Sequence, residues 1–197
     1  MWSFEIEAVK NGCKYIAGVD EAGRGPLAGP VVSAAVILPL DFPDHGITDS
    51  KKLSPKKRDQ LFYVIMENAL AVSTGTASSL EIDEINILQA SLKSMERAVS
   101  GLDITPDYLL IDGKFLIDSN ISQQAIIKGD SKSISVAAAS IIAKVTRDSI
   151  MEKLHEKYPV YGFNRHKGYP TKAHKESILK YGSCFEHRQS FKGVKGL

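Results

Sequence analysis

Two adjacent acidic residues, Asp20 and Glu21, end an apolar stretch and begin the segment with the clearest chemical content. Paired carboxylates of this kind can hold a hard divalent cation through their oxygen atoms. Gly23, Arg24 and Gly25 follow directly. Glycines let a backbone approach a ligand closely, and the arginine fork can bind a phosphate. One short loop therefore offers a metal site and a nucleic-acid contact side by side.

Two further acids follow apolar stretches later in the chain. Asp112 follows residues 108–111, and Asp130 comes shortly after residues 124–127. Taken singly, an Asp before a glycine is typical of a turn, and an Asp before a serine is typical of a helix cap. Four carboxylates in one cleft would repel one another, and cations between them would remove that cost. The set predicts two Mg²⁺ or Mn²⁺ ions about 4 Å apart, an arrangement suited to phosphodiester cleavage.

Alternation of apolar and turn-forming segments predicts the elements that position these acids. A pair of strands comes first, and helices then alternate with strands, which indicates an α/β domain with a central mixed sheet flanked by helices, antiparallel at first and parallel later. Ligands gather at the carboxyl ends of strands in such sheets, where all four acids fall. The five predicted strands cover residues 15–20, 31–38, 71–77, 108–111 and 124–127, and predicted helices begin near residues 54, 79, 131 and 171.

Several other chemistries lack their required spacing. The Gly-rich loop has no P-loop pattern, no histidine pair has the spacing of zinc proteases, and no serine lies in a nucleophile elbow. We expect His166 and His174 on a basic surface. The chain has 197 residues and a formal net charge of +2, but residues 159–197 alone carry +6. That asymmetry fits a basic binding surface beside an acidic pocket, or a solvated basic helix.

Cellular context is also predicted. Two cysteines, Cys13 and Cys184, give neither a disulfide framework nor a zinc site, and reduced thiols fit the cytoplasm. The acidic first residues do not form a signal peptide, and the longest apolar run, 31–40, is too short to span a bilayer. We therefore expect a cytoplasmic protein without a membrane partner. No dimerisation heptad is evident, so a monomer is expected.

The loop motif, residues 20–32, resembles the signature of the ribonuclease HII family (type 2 ribonuclease H). This resemblance implies a ribonuclease-H-like fold with a C-terminal helical extension. The catalytic domain would cover residues 1–158, and the basic extension, residues 159–197, would pack on it. The similarity continues in order through residues 49–54, 111–113, 128–130, 140–148, 168–171 and 187–191.

The resemblance also implies an activity. It implies an endonuclease that cleaves the RNA strand of RNA–DNA hybrids and incises on the 5′ side of ribonucleotides embedded in duplex DNA, leaving 3′-hydroxyl and 5′-phosphate ends. The family's substrate loop maps onto Gly23, Arg24 and Gly25, and its junction-sensing tyrosine onto Tyr169. Alternatively, the glycines only form a tight turn and the tyrosine only packs at an interface. The family's catalytic and metal-binding acids map onto Asp20, Glu21, Asp112 and Asp130.

Basic residues near these motifs are candidates for phosphate contacts, which position a duplex without reading its sequence. Two other functions stay open: another nuclease of the same fold, such as a resolvase or an exonuclease, and a binding module without catalysis. The tail, residues 191–197, does not indicate a protein partner. The candidate phosphate contacts are Lys51, Lys52, Lys128, Lys144, Arg147 and Arg165, with Lys167 and Lys172 in the basic tail.

Overall fold

A computed structural model of the chain describes residues 1–43 and 45–196. Asp44, and Leu197 at the end of the predicted extension, lie outside the described residues. The strands are β1 (Ile16–Ala22), β2 (Val31–Ile37), β3 (Ala71–Ala77), β4 (Tyr108–Asp112) and β5 (Ser122–Ile126). The α-helices within the described ranges are α1 (Ser3–Lys10), α2 (Pro55–Asn68), α3 (Ser79–Ser100), α4 (Ile134–Lys157), α5 (Phe163–His166) and α6 (Lys172–Tyr181).

The strands form one five-stranded sheet in the order β3-β2-β1-β4-β5. The pairs β1–β2 and β2–β3 are antiparallel, whereas β1–β4 and β4–β5 are parallel. This arrangement confirms the mixed five-stranded sheet. Alternating residues of β2 divide the core between the two faces: Ala34 and Val36 pack with α2 and α4, and Ala35 and Ile37 pack with α3.

Helix α4 lies very close to the sheet because its N-terminal half is built from small residues. Ala137, Ala138 and Ala139 are fully buried there. Gly18 on β1 completes the contact, since a Cβ atom at this position would overlap the backbone of Ser135 and Val136. The strand that carries Asp20 is thereby held against the start of α4.

Local capping signals account for the helix starts that the sequence predicts. Ser54 caps α2 by accepting a hydrogen bond from Lys57 N, and Thr171 caps α6 in the same way. The short helix α1 was not predicted, because eight residues carry little periodic signal. Helix α3 contains a kink at Asn86, where φ is +67° and the side chain accepts hydrogen bonds from the next turn.

Residues after α4 pack against α4 and against the loop that joins β1 to β2. Hydrogen bonds pair the loop with the chain near its C-terminus: Gly29 N donates to Glu186 O, and Arg188 N donates to Leu27 O. None of the described helices is long and apolar enough to cross a membrane. The shared apolar cluster contains Leu27, Ala28, Met151, Tyr161, Phe163, Ile178 and Val194.

Candidate active site

The sheet brings the four predicted acids to one end. Strands β1 and β4 pair in parallel with Val19 opposite Ile111, so the residues that follow, Asp20 and Asp112, are neighbours across the two strands. Asp112 ends β4, whereas β1, which was predicted to end at Asp20, continues through Glu21 to Ala22. Asp130 lies in a 3₁₀ turn, Gly129–Ser131, just beyond β5. The four acids therefore meet at one end of the sheet, although Asp20 and Glu21 lie within a strand rather than after it.

Short hydrogen bonds fix two of the carboxylates. Asp112 Oδ1 accepts a hydrogen bond from Gly129 N at 2.6 Å, which ties the end of β4 to the turn that carries Asp130. Asp20 Oδ1 accepts from the backbone amide of Glu21 at 2.7 Å. Asp112 is thus linked directly to the turn that carries Asp130, and Asp20 is linked to the backbone of its neighbour Glu21.

Electrostatics show how strongly the acids interact. Burial, followed by the charges of Glu21 and Asp112 and, more weakly, Asp130, raises the pKa of Asp20 well above its ordinary value. Burial and Asp112 raise the pKa of Glu21, and burial, Asp112 and Asp49 raise the pKa of Asp130. The site therefore holds an excess of negative charge that a cation would relieve.

Two basic side chains offset part of this charge. Arg24 Nη1 lies 3.3 Å from Glu21 Oε1, and Lys51 Nζ lies 3.7 Å from Asp130 Oδ2. Both basic side chains are well exposed, at 49% and 80% respectively, so solvent screens these pairs. They leave most of the negative potential available to a ligand.

The donor set fits a hard divalent cation, because every candidate ligand atom is a carboxylate oxygen. In the part of the chain that the structure describes, no three His, Cys, Asp or Glu side chains are already grouped around one point as metal ligands. The carboxylates of Asp112, Glu21 and Asp130 instead face Gly129, Arg24 and Lys51. Ion binding would require these side chains to turn, and the assignment of the ligands stays a prediction.

Asp49 is a residue near the site that sequence reasoning left without a role. Its Oδ1 accepts from Lys51 N at 2.9 Å and so caps a 3₁₀ turn, Ser50–Lys52. The turn is anchored to α4 by the hydroxyls of Ser50 and Ser140, 2.7 Å apart. The Asp-Ser-Lys order, in which an Asp side chain can cap the turn after it, is the signal that could have identified this role.

The loop predicted to bind the substrate, Gly23, Arg24 and Gly25, adjoins the acids. Gly23 has φ of +102°, and a Cβ there would overlap the Arg147 side chain, so a tight turn alone is enough to require this glycine. Gly25 is different: a Cβ at this position would lie 3.7 Å from Tyr169 Cε1, an ordinary contact. Gly25 and Tyr169 are therefore neighbours on an exposed surface beside Arg24.

Arg147 is a correction to the predicted phosphate contacts. It is only 1% exposed, and its guanidinium donates to the carbonyls of Pro30, Lys167 and Ala28 at 3.0 to 3.2 Å. A side chain bound in this way cannot reach a phosphate on the surface. It joins α4 to the second half of the loop between β1 and β2, and to Lys167, instead.

The other predicted phosphate contacts stay predictions. Lys52, Lys128 and Arg165 are exposed, as the interpretation requires. Lys144 is partly buried and paired with Asp148 at 2.6 Å, so this pairing competes with any phosphate.

His174 is a second correction, because it is fully buried rather than on a basic surface. His187 Nδ1 accepts from Cys184 N, so His187 Nε2 donates to His174 Nε2 at 3.1 Å. His174 Nδ1 then donates to Tyr169 O at 2.9 Å. This pattern needs both rings neutral, and it fixes the backbone of Tyr169.

Acid is expected to destabilise the protein through these two rings. Burial, together with the charge of a neighbouring histidine, lowers the pKa of His174 and of His187 to about 4; the neighbour is His166 for His174 and His174 for His187. An unfolded chain has a histidine pKa near 6.5, so the unfolded state binds more protons between these values and stability falls as pH drops from about 6.5 to about 4. The free energy of unfolding should decline by up to about 1.4 kcal/mol per pH unit for each proton.

Urea titrations at several pH values would measure this decline. The matched variant is His174→Gln, which removes one titrating ring and should flatten the slope. A slope equal to that of the unmodified chain would contradict the assignment.

Comparison with solved structures defines the class of protein. The chain superposes on the ribonuclease H2 of Pyrococcus horikoshii OT3 with a TM-score of 0.77 and 30% identity, covering 92% of this chain and 95% of that one. It also superposes on the ribonuclease HII of Archaeoglobus fulgidus, solved in complex with PCNA, with a TM-score of 0.77 and 28% identity over 91% and 96% of the two chains. The fold is that of a ribonuclease H of type 2.

The family follows from the sequence comparisons. The family model described as Ribonuclease HII matches residues 17–194. The ribonuclease HII of Syntrophus aciditrophicus is 56% identical over 189 residues, which cover 96% of this chain and 89% of that protein. The chain belongs to the ribonuclease HII family and is an endonuclease of the ribonuclease H type, acting on RNA–DNA hybrids.

Proposed function

We propose that the protein is a divalent-metal-dependent endoribonuclease that also incises on the 5′ side of single ribonucleotides in duplex DNA, leaving 3′-hydroxyl and 5′-phosphate ends. One observation carries the proposal: four interacting carboxylates lie directly beside an exposed loop that can hydrogen-bond a sugar hydroxyl. A resolvase or an exonuclease would need the acids but not this loop.

The proposed chemistry divides between cation and protein. Two Mg²⁺ or Mn²⁺ ions, when bound, would supply Lewis acidity and charge neutralisation at the scissile phosphate. Asp20, Glu21, Asp112 and Asp130 would hold them and so fix the position of that phosphate. The carboxylates need not accept a proton themselves, because position and charge neutralisation suffice.

Recognition of RNA would come from the loop. The 2′-hydroxyl is the group that distinguishes RNA from DNA at a given sugar. Arg24 and Gly25 are exposed residues next to the acids, and Gly25 has no side chain to block approach. A site that hydrogen-bonds a hydroxyl discriminates strongly against the analogue that lacks it.

A labelled duplex with one ribonucleotide tests the proposal. We expect one cut on the 5′ side of that ribonucleotide with Mg²⁺ or Mn²⁺, no cut with a chelator, and no cut of the matched all-DNA duplex. Cleavage elsewhere would favour another nuclease of this fold. Binding without cleavage under all conditions would favour a binding module.

Tyr169 is proposed to sense the RNA-to-DNA junction. Its side chain is 43% exposed beside Gly25, and its backbone is fixed by His174. The ring can pack against the sugar that follows the ribonucleotide, where a 2′-hydroxyl would crowd it. We expect Tyr169→Ala to reduce kcat/KM on a single-ribonucleotide duplex at least about tenfold more than on an all-RNA hybrid, the equivalent of about one aromatic contact.

Parallel kinetics on the two substrates measure this difference. Tyr181→Ala, which removes another exposed tyrosine, is the control and should affect neither substrate. Equal losses on both substrates with Tyr169→Ala would show that the ring only packs at an interface.

A further inference from the structure

Arg188 is a buried arginine whose hydrogen-bond acceptors are all backbone carbonyls of the loop between β1 and β2. It is 0% exposed, and no described carboxylate lies within ion-pairing distance of it. Its Nη2 donates to Gly23 O at 2.6 Å, and its Nη1 donates to Arg24 O at 3.0 Å. Nε and Nη2 both donate to Gly29 O, at 3.0 and 2.9 Å. The guanidinium therefore holds the beginning of the loop, at Gly23 and Arg24, close to its end at Gly29.

This contact dictates where the loop's amides point. In a planar trans peptide the N–H of one residue points opposite to the C=O of the residue before it. The chain has no cis peptide in its described part. Because the carbonyls of Gly23 and Arg24 point inward to Arg188, the amides of Arg24 and Gly25 point outward. Both residues are exposed, and the described residues offer neither amide an acceptor.

Burying the Arg188 guanidinium to orient these amides costs free energy, and a role in packing alone would not require that cost. Burying an arginine without a carboxylate is expensive, and here neutral carbonyls and the ring of Phe191, whose centre lies 5.0 Å from the guanidinium carbon, compensate part of that cost. Burial, together with the charge of Arg147, lowers the pKa of Arg188. Packing alone could be supplied by an apolar side chain at this position. What an apolar side chain cannot supply is the simultaneous alignment of two successive peptide planes.

We propose that Arg188 is a positioning residue for specificity: it turns the amides of Arg24 and Gly25 toward the substrate so that both can donate to a ribose hydroxyl. This inference rests on the proposed function, which makes the loop the ribonucleotide-recognising element. Arg188 itself touches no substrate. Its effect is therefore expected on the preference for ribose over deoxyribose, not on binding to duplex DNA.

Ile37→Ala provides a control for lost stability. Ile37 is 1% exposed, and it lies at the end of β2 that is remote from the loop, where it packs with α3. Its truncation should cost stability by leaving a cavity in the core, without releasing the Gly23 and Arg24 carbonyls. The pair Arg188→Lys and Ile37→Ala thus separates loss of stability from loss of amide orientation.

The experiment measures Kd for a duplex with one ribonucleotide and for its all-DNA counterpart, with Asp112→Asn in every protein to prevent cleavage. We expect the parent to prefer the ribonucleotide duplex. Arg188→Lys should reduce this preference about 10- to 100-fold, the value of one or two hydrogen bonds, with Kd for all-DNA unchanged. Ile37→Ala should keep the preference while lowering Tm. If Arg188→Lys keeps the parent's preference, the positioning role of Arg188 is overturned and the proposed function stands. If the parent itself shows no preference, the proposed recognition of the hydroxyl is overturned, and the role of Arg188 with it.

Amide exchange keeps the inference testable if Arg188→Lys does not fold. In the ¹⁵N-labelled Asp112→Asn protein, the amides of Arg24 and Gly25 should exchange quickly when free. They should become protected by the ribonucleotide duplex and not by all-DNA. Amides already protected in the free protein, or protected equally by both duplexes, would overturn the inference.

Discussion

Asp112→Asn is expected to lower kcat by at least about 10²- to 10³-fold, the loss typical of removing one electrostatic group from an active site. Asparagine has the same shape and keeps an oxygen that can accept the Gly129 amide, which Asp112 now accepts at 2.6 Å. Only the negative charge is lost. Because the surrounding basic side chains still attract phosphate, Kd for the substrate should change little. Single-turnover kinetics at saturating Mg²⁺ or Mn²⁺, with a separate binding titration, measure the two effects.

Asp107→Asn is the matched control for this change. Asp107 also accepts backbone hydrogen bonds through its carboxylate, from Lys14 and Tyr15 at 2.8 Å, but it precedes β4 at the opposite end of that strand. Its neutralisation should leave turnover unchanged. Turnover by Asp112→Asn close to that of the unmodified protein would contradict the role assigned to Asp112.

Gly18→Ala is expected to have the largest effect on folding. The added methyl group would overlap the carbonyl of Ser135 and the amide of Val136, which are backbone atoms of the start of α4 and cannot rotate away. Relief would require α4 to move from β1, and the turn with Asp130 would move with it. We expect a loss in the free energy of unfolding of upwards of about 3 kcal/mol, at the top of the range for overpacking.

Urea denaturation would measure this loss, with Gly12→Ala as the control. Gly12 has φ of +91° but open space around it, so alanine there meets only backbone strain, worth about 1 to 2 kcal/mol. A Gly18→Ala protein as stable as the Gly12→Ala protein would show that α4 can shift without cost, contrary to the packing described.

Much of the fold could be predicted because its signals are local. Apolar runs marked the strands, and Ser54 and Thr171 marked helix starts by their capping chemistry. Strand ends also located Asp112 and Asp130 at one edge of the sheet. Edge strand β5 was predicted to begin two residues too late, because its first residues, Ser122 and Gln123, are polar and half of the strand faces solvent.

The errors concern residues whose role depends on distant partners. Two of the three carbonyls that Arg147 binds lie more than a hundred residues away, and nothing in its neighbours along the chain signals burial. Arg188, which sequence reasoning left without a role, binds carbonyls that are equally distant along the chain. His174 lies among lysines on α6, so local charge suggested a surface. Its ring is buried because His187 and the Tyr169 carbonyl saturate both nitrogens. Such roles are properties of the tertiary structure alone.

The most direct measurement is an anomalous difference map from crystals of the unmodified protein grown with Mn²⁺. We expect peaks within about 2.2 Å of carboxylate oxygens from Asp20, Glu21, Asp112 and Asp130, the usual bond length for ions of this kind. Those side chains should have turned from Gly129, Arg24 and Lys51 toward the ion. Manganese bound elsewhere, with these carboxylates still facing their protein partners, would contradict this expectation.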